Sequence, residues 1–453
     1  MSQLRIGVVG GGLAGIAAAL NAADAGANVT LIERRPHLGG LTTSIQRDGL
    51  SFDNGQHVFL RCCSSYRALL ERIGATNQVY LQPRLNVPVL SPDGSVSSIS
   101  RTNLPAPLHL AKSIISYRFL SLKERLRLIG PVLALRRLDP HDPALDKVSF
   151  GEWLEARSQS RDAIDRLWNL IIQPTLNVSS NDASLALAVQ VFRVGFLDRA
   201  DGADMGWSKV PLSELHGANA RRALDAAGVT TLLNTSVTSL THSAADSVSI
   251  DTPSGVVTVD AVIVATPPRM SSALGALSNA QLANDLATSP IVNIHFVLDR
   301  KVTDYTMAAG IDSPIEFVFD RTDASGVTSG QCLVISLSAA DRYIGTGSSE
   351  LVETFHQALC DLFPRARDAK VVSSVVTREH AATFRAAPGV EARRASASST
   401  DPRILLAGAW CNTGWPATME GAVRSGNDAA SRALSLDSTS TGKGPRNYEK
   451  VPT

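Results

Sequence analysis

The chain has 453 residues, 44% of them hydrophobic and 19% charged, a balance that fits two or three folded domains and excludes a disordered chain. A formal net charge of +1 argues against a global electrostatic footprint for nucleic acid, and no nucleic-acid partner is expected. No apolar run approaches the roughly 18–20 residues of a membrane span, and five scattered cysteines without metal spacing read as reduced thiols with no metal site.

The first element is an apolar run, Ile6 to Val9, that starts almost at once and leaves no room for a secretory leader, so a cytoplasmic location is expected. It meets a Gly-x-Gly-x-x-Gly turn at Gly10, Gly12 and Gly15. An alanine-rich helical segment follows to Asp24, and a second apolar run, Val29 to Ile32, ends in Glu33. Each part has a physical task in holding an adenine dinucleotide. Gly10 permits the tight turn, Gly12 lets backbone approach a pyrophosphate, and Gly15 lets helix and strand pack closely. The helix N-terminus offers amide donors, and Glu33 can accept from ribose hydroxyls. Glu33 would repel a 2′-phosphate, although Arg34 and Arg35 beside it could partly compensate, so NADP is the lesser alternative.

Residues 101–137 carry Arg101, Lys112, Arg118, Lys123, Arg125, Arg127, Arg136 and Arg137 against a single acid, Glu124. Leu108, Leu110, Ile114, Ile115, Tyr117, Phe119 and Leu120 lie between them. Such a basic amphipathic segment can rest on an anionic membrane surface or form a solvated helix face. Residues 161–174 place Ile164, Leu167, Trp168, Ile171 and Ile172 at helical spacing and predict a core-facing helix ending before Pro174.

Strands are predicted at 229–233 and 236–240, and a hairpin pairs 248–251 with 256–259 around Pro253-Ser254-Gly255. Asp260 to Ala265 reads as a fully buried strand stopped by Pro267-Pro268, and Ile404 to Gly408 as another. A last helix spans Met419 to Ala430, and 436–453 reads as a disordered tail.

The expected fold class is α/β: a Rossmann-like dinucleotide domain assembled from discontinuous segments, plus an α+β substrate-binding domain. Residues 1–84, 205–289 and 401–435 are assigned to the first, and 85–204 and 290–400 to the second.

Several motifs beyond the fingerprint carry a resemblance. They are Gly39-Gly40, Asp53-Asn54-Gly55-Gln56-His57, Gln173-Pro174-Thr175-Leu176-Asn177, the run from Gly206 to Gly217, Ala407-Gly408, and the block from Thr413 to Gly426. Together they resemble the flavin amine oxidase and phytoene desaturase superfamily. Within it the chain is similar to the squalene-associated FAD-dependent desaturases, the hydroxysqualene dehydroxylases of bacterial squalene and hopanoid synthesis.

The resemblance implies FAD as cofactor. Gly10, Gly12, Leu13, Ala14 and Gly15 are then expected at the pyrophosphate, with Glu33 and Arg34 at the adenosine. Gly39, Gly40 and Leu41 are expected near the pyrophosphate and ribityl chain, and Gly55, Gln56, His57 and Val58 near the ring. Val237 is expected at the adenine, and Gly408, Ala409, Ala417, Thr418 and Met419 around the ribityl and pyrimidine end. Two positions depart from the pattern: Leu41 stands where the superfamily usually has Arg, and Ala409 where it usually has Asp.

The implied reaction replaces an allylic hydroxyl by hydride from reduced flavin. It needs a proton for the leaving oxygen and an electron-rich wall for the cationic carbon. His57 is the first candidate for the proton, then Asp53 and Glu420; Trp415 is the first candidate for the wall, then Trp410 and Trp207. An apolar isoprenoid substrate, and squalene-pathway synthases as partners, are further implications. A polyene desaturase running the flavin in the other direction, or another oxidoreductase of the amine oxidase superfamily, is the alternative.

Overall fold

A computed structural model describes residues 3–243, 247–277, 286–399 and 401–440. The strands Thr230–Leu232, Asn28–Ile32, Arg5–Val9, Ala261–Val264 and Ile404–Leu406 lie side by side in that order, all parallel. Their near-continuous apolar character follows from burial on both faces. One face carries the helices Leu13–Asp24 and Met419–Ser440, where a Cβ on Gly426 would collide with the Ala14 carbonyl oxygen. The other carries an antiparallel meander, Ser239–Ser243, Ser247–Thr252 and Gly255–Val259, packed so closely that Gly7 has no room for a side chain beneath Ile250.

The second unit is a seven-stranded sheet in the order Val371–Phe384, Thr288–Leu298, Gln331–Leu337, Phe317–Asp320, Met307–Gly310, Asn86–Leu90 and Val96–Ser100. Only the Met307–Gly310 and Asn86–Leu90 pair is parallel. Alternation along its strands separates two faces. Phe296, Ile335 and Leu333 pack under the helix Ser348–Leu362, with its Leu351 and Phe355. Val87, Val89, Phe317 and Phe319 join the apolar cluster of the 110–197 helices.

Four expectations need correction. The boundary at 289/290 falls inside a strand, because the sheet pairing of Thr288–Leu298 begins at Thr288 with Phe384. Residues 236–238 form no strand; the first strand of the meander is Ser239–Ser243, which leaves Ser236 and Val237 free to line a cavity. The helix that was to stop before Pro174 runs on to Leu176 and ends at Asn177, in the left-handed region at φ 56°. Pro174 lacks an N–H for the helix ladder, and the Thr175 hydroxyl bonds the nearby Ile171 carbonyl at 2.6 Å. Finally, the C-terminal helix reaches Ser440, held by Ala429, Ala430 and Ala433 buried against the first helix. The rest of the expected tail, 441–453, lies outside the described residues. No helix among the described residues is long and apolar enough to cross a membrane.

Candidate functional site

A cavity of about 710 Å³ opens where the C-terminal ends of the parallel strands face the seven-stranded sheet. Glycines shape its first wall. Gly10 has φ +109°, and a Cβ there would lie 2.5 Å from the Ala265 carbonyl oxygen. Gly15 does not line the cavity; a Cβ on it would strike the Gly10 carbonyl, so its task is the close helix–strand crossing. The helix starting at Leu13 has neither a side-chain cap nor an acid in its first turn, and Gly12, Leu13 and Ala14 present that open N-terminus to the cavity.

Glu33 is buried at the end of its strand, accepting from the amides of Gly11 at 2.6 Å and Arg35 at 2.8 Å while facing the cavity. Arg34 and Arg35 line the same end, and the Arg35 guanidinium holds the Gly40 carbonyl at 3.1 Å. Gly39 and Gly40, at φ +107° and +60°, bring their turn against Gly12. Leu41 lines the cavity, and Val237 closes this end with Thr235 and Ser236.

Further along, Gly55, Gln56, His57 and Val58 stand on one side, and Gly408, Ala409, Ala417, Thr418 and Met419 on the other. Gln56 also borders the packed region around Asp53, His295 and Arg321, and its side-chain nitrogen is buried without a partner among the described residues. Open helix amides, a glycine cradle and the Glu33 carboxylate together fit an extended dinucleotide.

The catalytic candidates separate sharply. His57 faces the cavity and has no hydrogen-bond partner among the described residues. Burial pushes its pKa down, partly offset by the nearby Asp53 charge, so the imidazole is neutral at pH 7. Asp53 is not at the cavity. Its carboxylate pairs with Arg321 at 2.8 Å and accepts from the Ser44 hydroxyl at 2.7 Å and the Leu212 amide at 3.0 Å. That corrects its assignment as an acid: its oxygens are committed to structure.

Glu420 touches the cavity, but its oxygens accept from the Ser65 and Tyr66 amides at 3.1 and 2.7 Å and from Arg424 at 2.6 Å. It joins two helix N-termini, and both of its oxygens are already engaged. Trp415 lines the cavity with the Arg424 guanidinium 4.7 Å over its ring, so one cation already occupies its π-system. Trp410 is buried and donates to the Thr266 carbonyl at 3.0 Å. Trp207 lies away from the cavity, pairing with Val58 in a strand and tilted against Tyr80.

The remaining wall was not foreseen. Phe317, Phe319 and Phe384 come from the seven-stranded sheet, and Phe196, Leu170 and Ile171 from the helices. The Phe-Val-Phe alternation at 317–319 is the one local signal that could have found part of it. Beneath this wall Glu316 accepts from the Gln173 amide at 2.5 Å and the Ser338 backbone amide at 2.8 Å. Burial raises its pKa to about 8, so it holds a proton at neutral pH. Ser338 itself faces the cavity. Cys62 and Cys63, read only as reduced thiols, also line the wall.

Comparison with known proteins fits this geometry. A probable zeta-carotene desaturase of Synechococcus elongatus is 24% identical over 95% of this chain and 98% of its own length. The 15-cis-phytoene desaturase of the same organism is 24% identical, over 93% and 94%. The hydroxysqualene dehydroxylase of Sinorhizobium fredii is 25% identical, over 96% and 99%. Among solved structures, putrescine oxidase bound to putrescine superposes with a TM-score of 0.71 at 17% identity, covering 96% of this chain and 99% of that one. Cyclohexylamine oxidase from Brevibacterium oxydans gives 0.68 at 20%, covering 96% and 100%. These likenesses show a shared fold. The family of flavin containing amine oxidoreductases matches residues 13–434, nearly all of the chain. The protein is therefore an FAD-dependent oxidoreductase and a member of the flavin containing amine oxidoreductase family.

Proposed function

We propose that this protein reduces hydroxysqualene to squalene, exchanging an allylic hydroxyl for hydride. The observation that carries the reading is the second half of the cavity, a chamber walled by Phe196, Phe317, Phe319, Phe384, Leu170 and Ile171 beyond the Gln56 and His57 turn. Such a wall accepts a long hydrocarbon and tolerates positive charge at an allylic carbon, because aromatic faces are electron-rich and exclude water. Reduced flavin supplies the hydride. His57 is a cavity-facing group able to take up a proton and pass it to the leaving oxygen, and its depressed pKa makes its protonated form a strong donor. Glu316, through Gln173 and Ser338, fixes the polar corner of the chamber. The similarity to the hydroxysqualene dehydroxylase supports the reading. The synthases that make this substrate are the partner class it names.

Desaturation of a carotenoid-type polyene is the second reading. It is favoured by the neutral His57, which suits a proton acceptor, and by the similarity to zeta-carotene and phytoene desaturases. Purified protein given hydroxysqualene and a flavin reductant separates the two, since only the first reading yields squalene. A protein that instead dehydrogenates a polyene with a quinone acceptor would support the second.

A further inference from the structure

The helical lobe over residues 104–137 holds seven of the fifteen large exposed apolar side chains among the described residues. Leu104, Leu108 and Ile115 lie in its first half. In its second half Leu122–Arg127 and Ile129–Leu135 form a nearly continuous helix, joined at Leu128, whose backbone stays in the right-handed helical region. That helix has two apolar stripes. Leu128, Pro131 and Leu135 are buried against the protein. Leu122, Leu126, Ile129 and Leu133 follow at intervals of four, three and four residues and are 44–67% exposed. At about 100° per residue the two stripes fall on opposite sides of the helix. A helix buried on one side ordinarily turns polar residues outward, so an outward leucine stripe asks for an apolar partner.

Charge identifies that partner. Lys112, Arg118, Lys123, Arg127, Arg136 and Arg137 are exposed on the same lobe, and none meets a carboxylate among the described residues. The lone acid, Glu124, is tied into a capping box with Ser121 and bonded by Ser160 at 2.5 Å. Two cations counted in the sequence are spent otherwise. Arg101 pairs with buried Asp204, and Arg125 donates to the carbonyls of Leu120 and Ile115.

The lobe is also anchored to the chamber. Asp204, which grips Arg101, sits between Ala203 and Met205, two residues of the cavity wall. The Tyr117 hydroxyl donates to the Arg166 carbonyl at 2.6 Å, at the start of the helical stretch that carries Leu170 and Ile171 into the chamber. We propose that the exposed stripe of the 122–133 helix inserts shallowly into an anionic lipid surface, with the lobe's cations on the headgroups, so that the chamber takes its apolar substrate from the membrane. This deepens the reading of an isoprenoid substrate and rests on it for the delivery step, while the docking itself is read without turnover.

The test floats the full chain with vesicles of phosphatidylglycerol and phosphatidylethanolamine in equal parts, and with vesicles of phosphatidylcholine alone. The protein is expected to rise with the anionic vesicles at low salt and at least about tenfold less with phosphatidylcholine. The variant carrying Leu122→Glu, Leu126→Glu, Ile129→Glu and Leu133→Glu should stay at the bottom with its flavin absorbance intact. Lys123→Glu with Arg127→Glu should lose about tenfold in binding. Protein that stays at the bottom with anionic vesicles, or flotation that the leucine variant leaves unchanged, overturns the proposal. So does a dimer that the same variant dissolves in the absence of vesicle binding, since a second copy would then be what covers the stripe.

Discussion

The Asp53 carboxylate and the Arg321 guanidinium lie 2.8 Å apart and are both buried, joining the turn that carries Gln56 and His57 to the seven-stranded sheet. Arg321 also donates to the Val210 carbonyl at 3.2 Å, so one cation ties three segments. Removing one partner of a buried pair leaves the other uncompensated. Asp53→Ala is expected to cost about 3–5 kcal/mol in stability. Pairing it with Arg321→Leu should recover part of that loss. Denaturant unfolding of the two variants checks this, and additive losses would show that the pair does not act as a unit.

Two fingerprint glycines should fail in different ways. A Cβ on Gly15 would strike the Gly10 carbonyl, so Gly15→Ala is expected to prevent folding or cost several kcal/mol. A Cβ on Gly12 meets nothing nearer than the Gly40 Cα at 3.8 Å, and its backbone conformation at φ −77° suits alanine. Gly12→Ala should therefore keep the apoprotein's stability within about 0.5 kcal/mol. Its methyl would stand where the cofactor passes, and FAD affinity should fall at least about tenfold, or about 1.4 kcal/mol. Calorimetric titration of apoprotein with FAD measures it; unchanged affinity would remove Gly12 from the cradle.

Stability should depend on pH in two opposed ways. Burial pushes His216 down to about 3 and His295 to about 4. Below their ordinary value of 6.5 the unfolded chain binds protons that the folded chain refuses. Their contribution is therefore present above pH 6.5 and lost as pH falls, at about 1.4 kcal/mol per unit for each imidazole. Glu316 runs the other way. Raised by burial to about 8, it keeps its proton when folded and loses it when unfolded, so its contribution is full below 4.5 and is lost as pH rises to 8. Glu316→Gln should gain on the parent protein by about 1.4 kcal/mol per unit between those limits. Parallel curves for the two proteins would mean that Glu316 is ionised in the fold.

His57→Gln should lower turnover by about 10²–10⁴ while the protein still holds its flavin. The sign of the pH dependence separates the two functional readings. If His57 donates the proton, turnover in the parent protein falls as pH rises through its depressed pKa; if it accepts one, turnover falls as pH drops through the same range. Full activity in His57→Gln would remove it from proton transfer altogether.

The dinucleotide half was legible in the sequence because its signals are local. Gly10, Gly12, Gly15 and Glu33 lie in one βαβ unit, and strands buried on both faces, such as 261–264, announce themselves as unbroken apolar runs. The chamber was not, because its wall is made by pairing distant segments: Phe384 lies beside Thr288 only once Val371–Phe384 joins Thr288–Leu298. Nor could the sequence show which carboxylates were already spent. Asp53 and Glu420 look like acids beside a flavin until Arg321 and the helix amides of Ser65 and Tyr66 are seen to hold them. The basic lobe was visible as composition, but which of its leucines point outward depends on the direction in which the helix docks.

An anaerobic single turnover reads hydride transfer from the flavin to the allylic carbon directly. Holoprotein with chemically reduced flavin is mixed with hydroxysqualene while flavin absorbance and extracted lipid are followed together. The flavin is expected to reoxidise as squalene appears in equal amount, and both steps should be slowed by His57→Gln. Flavin that stays reduced with hydroxysqualene intact, in a protein that does bind FAD, would contradict the proposed reduction.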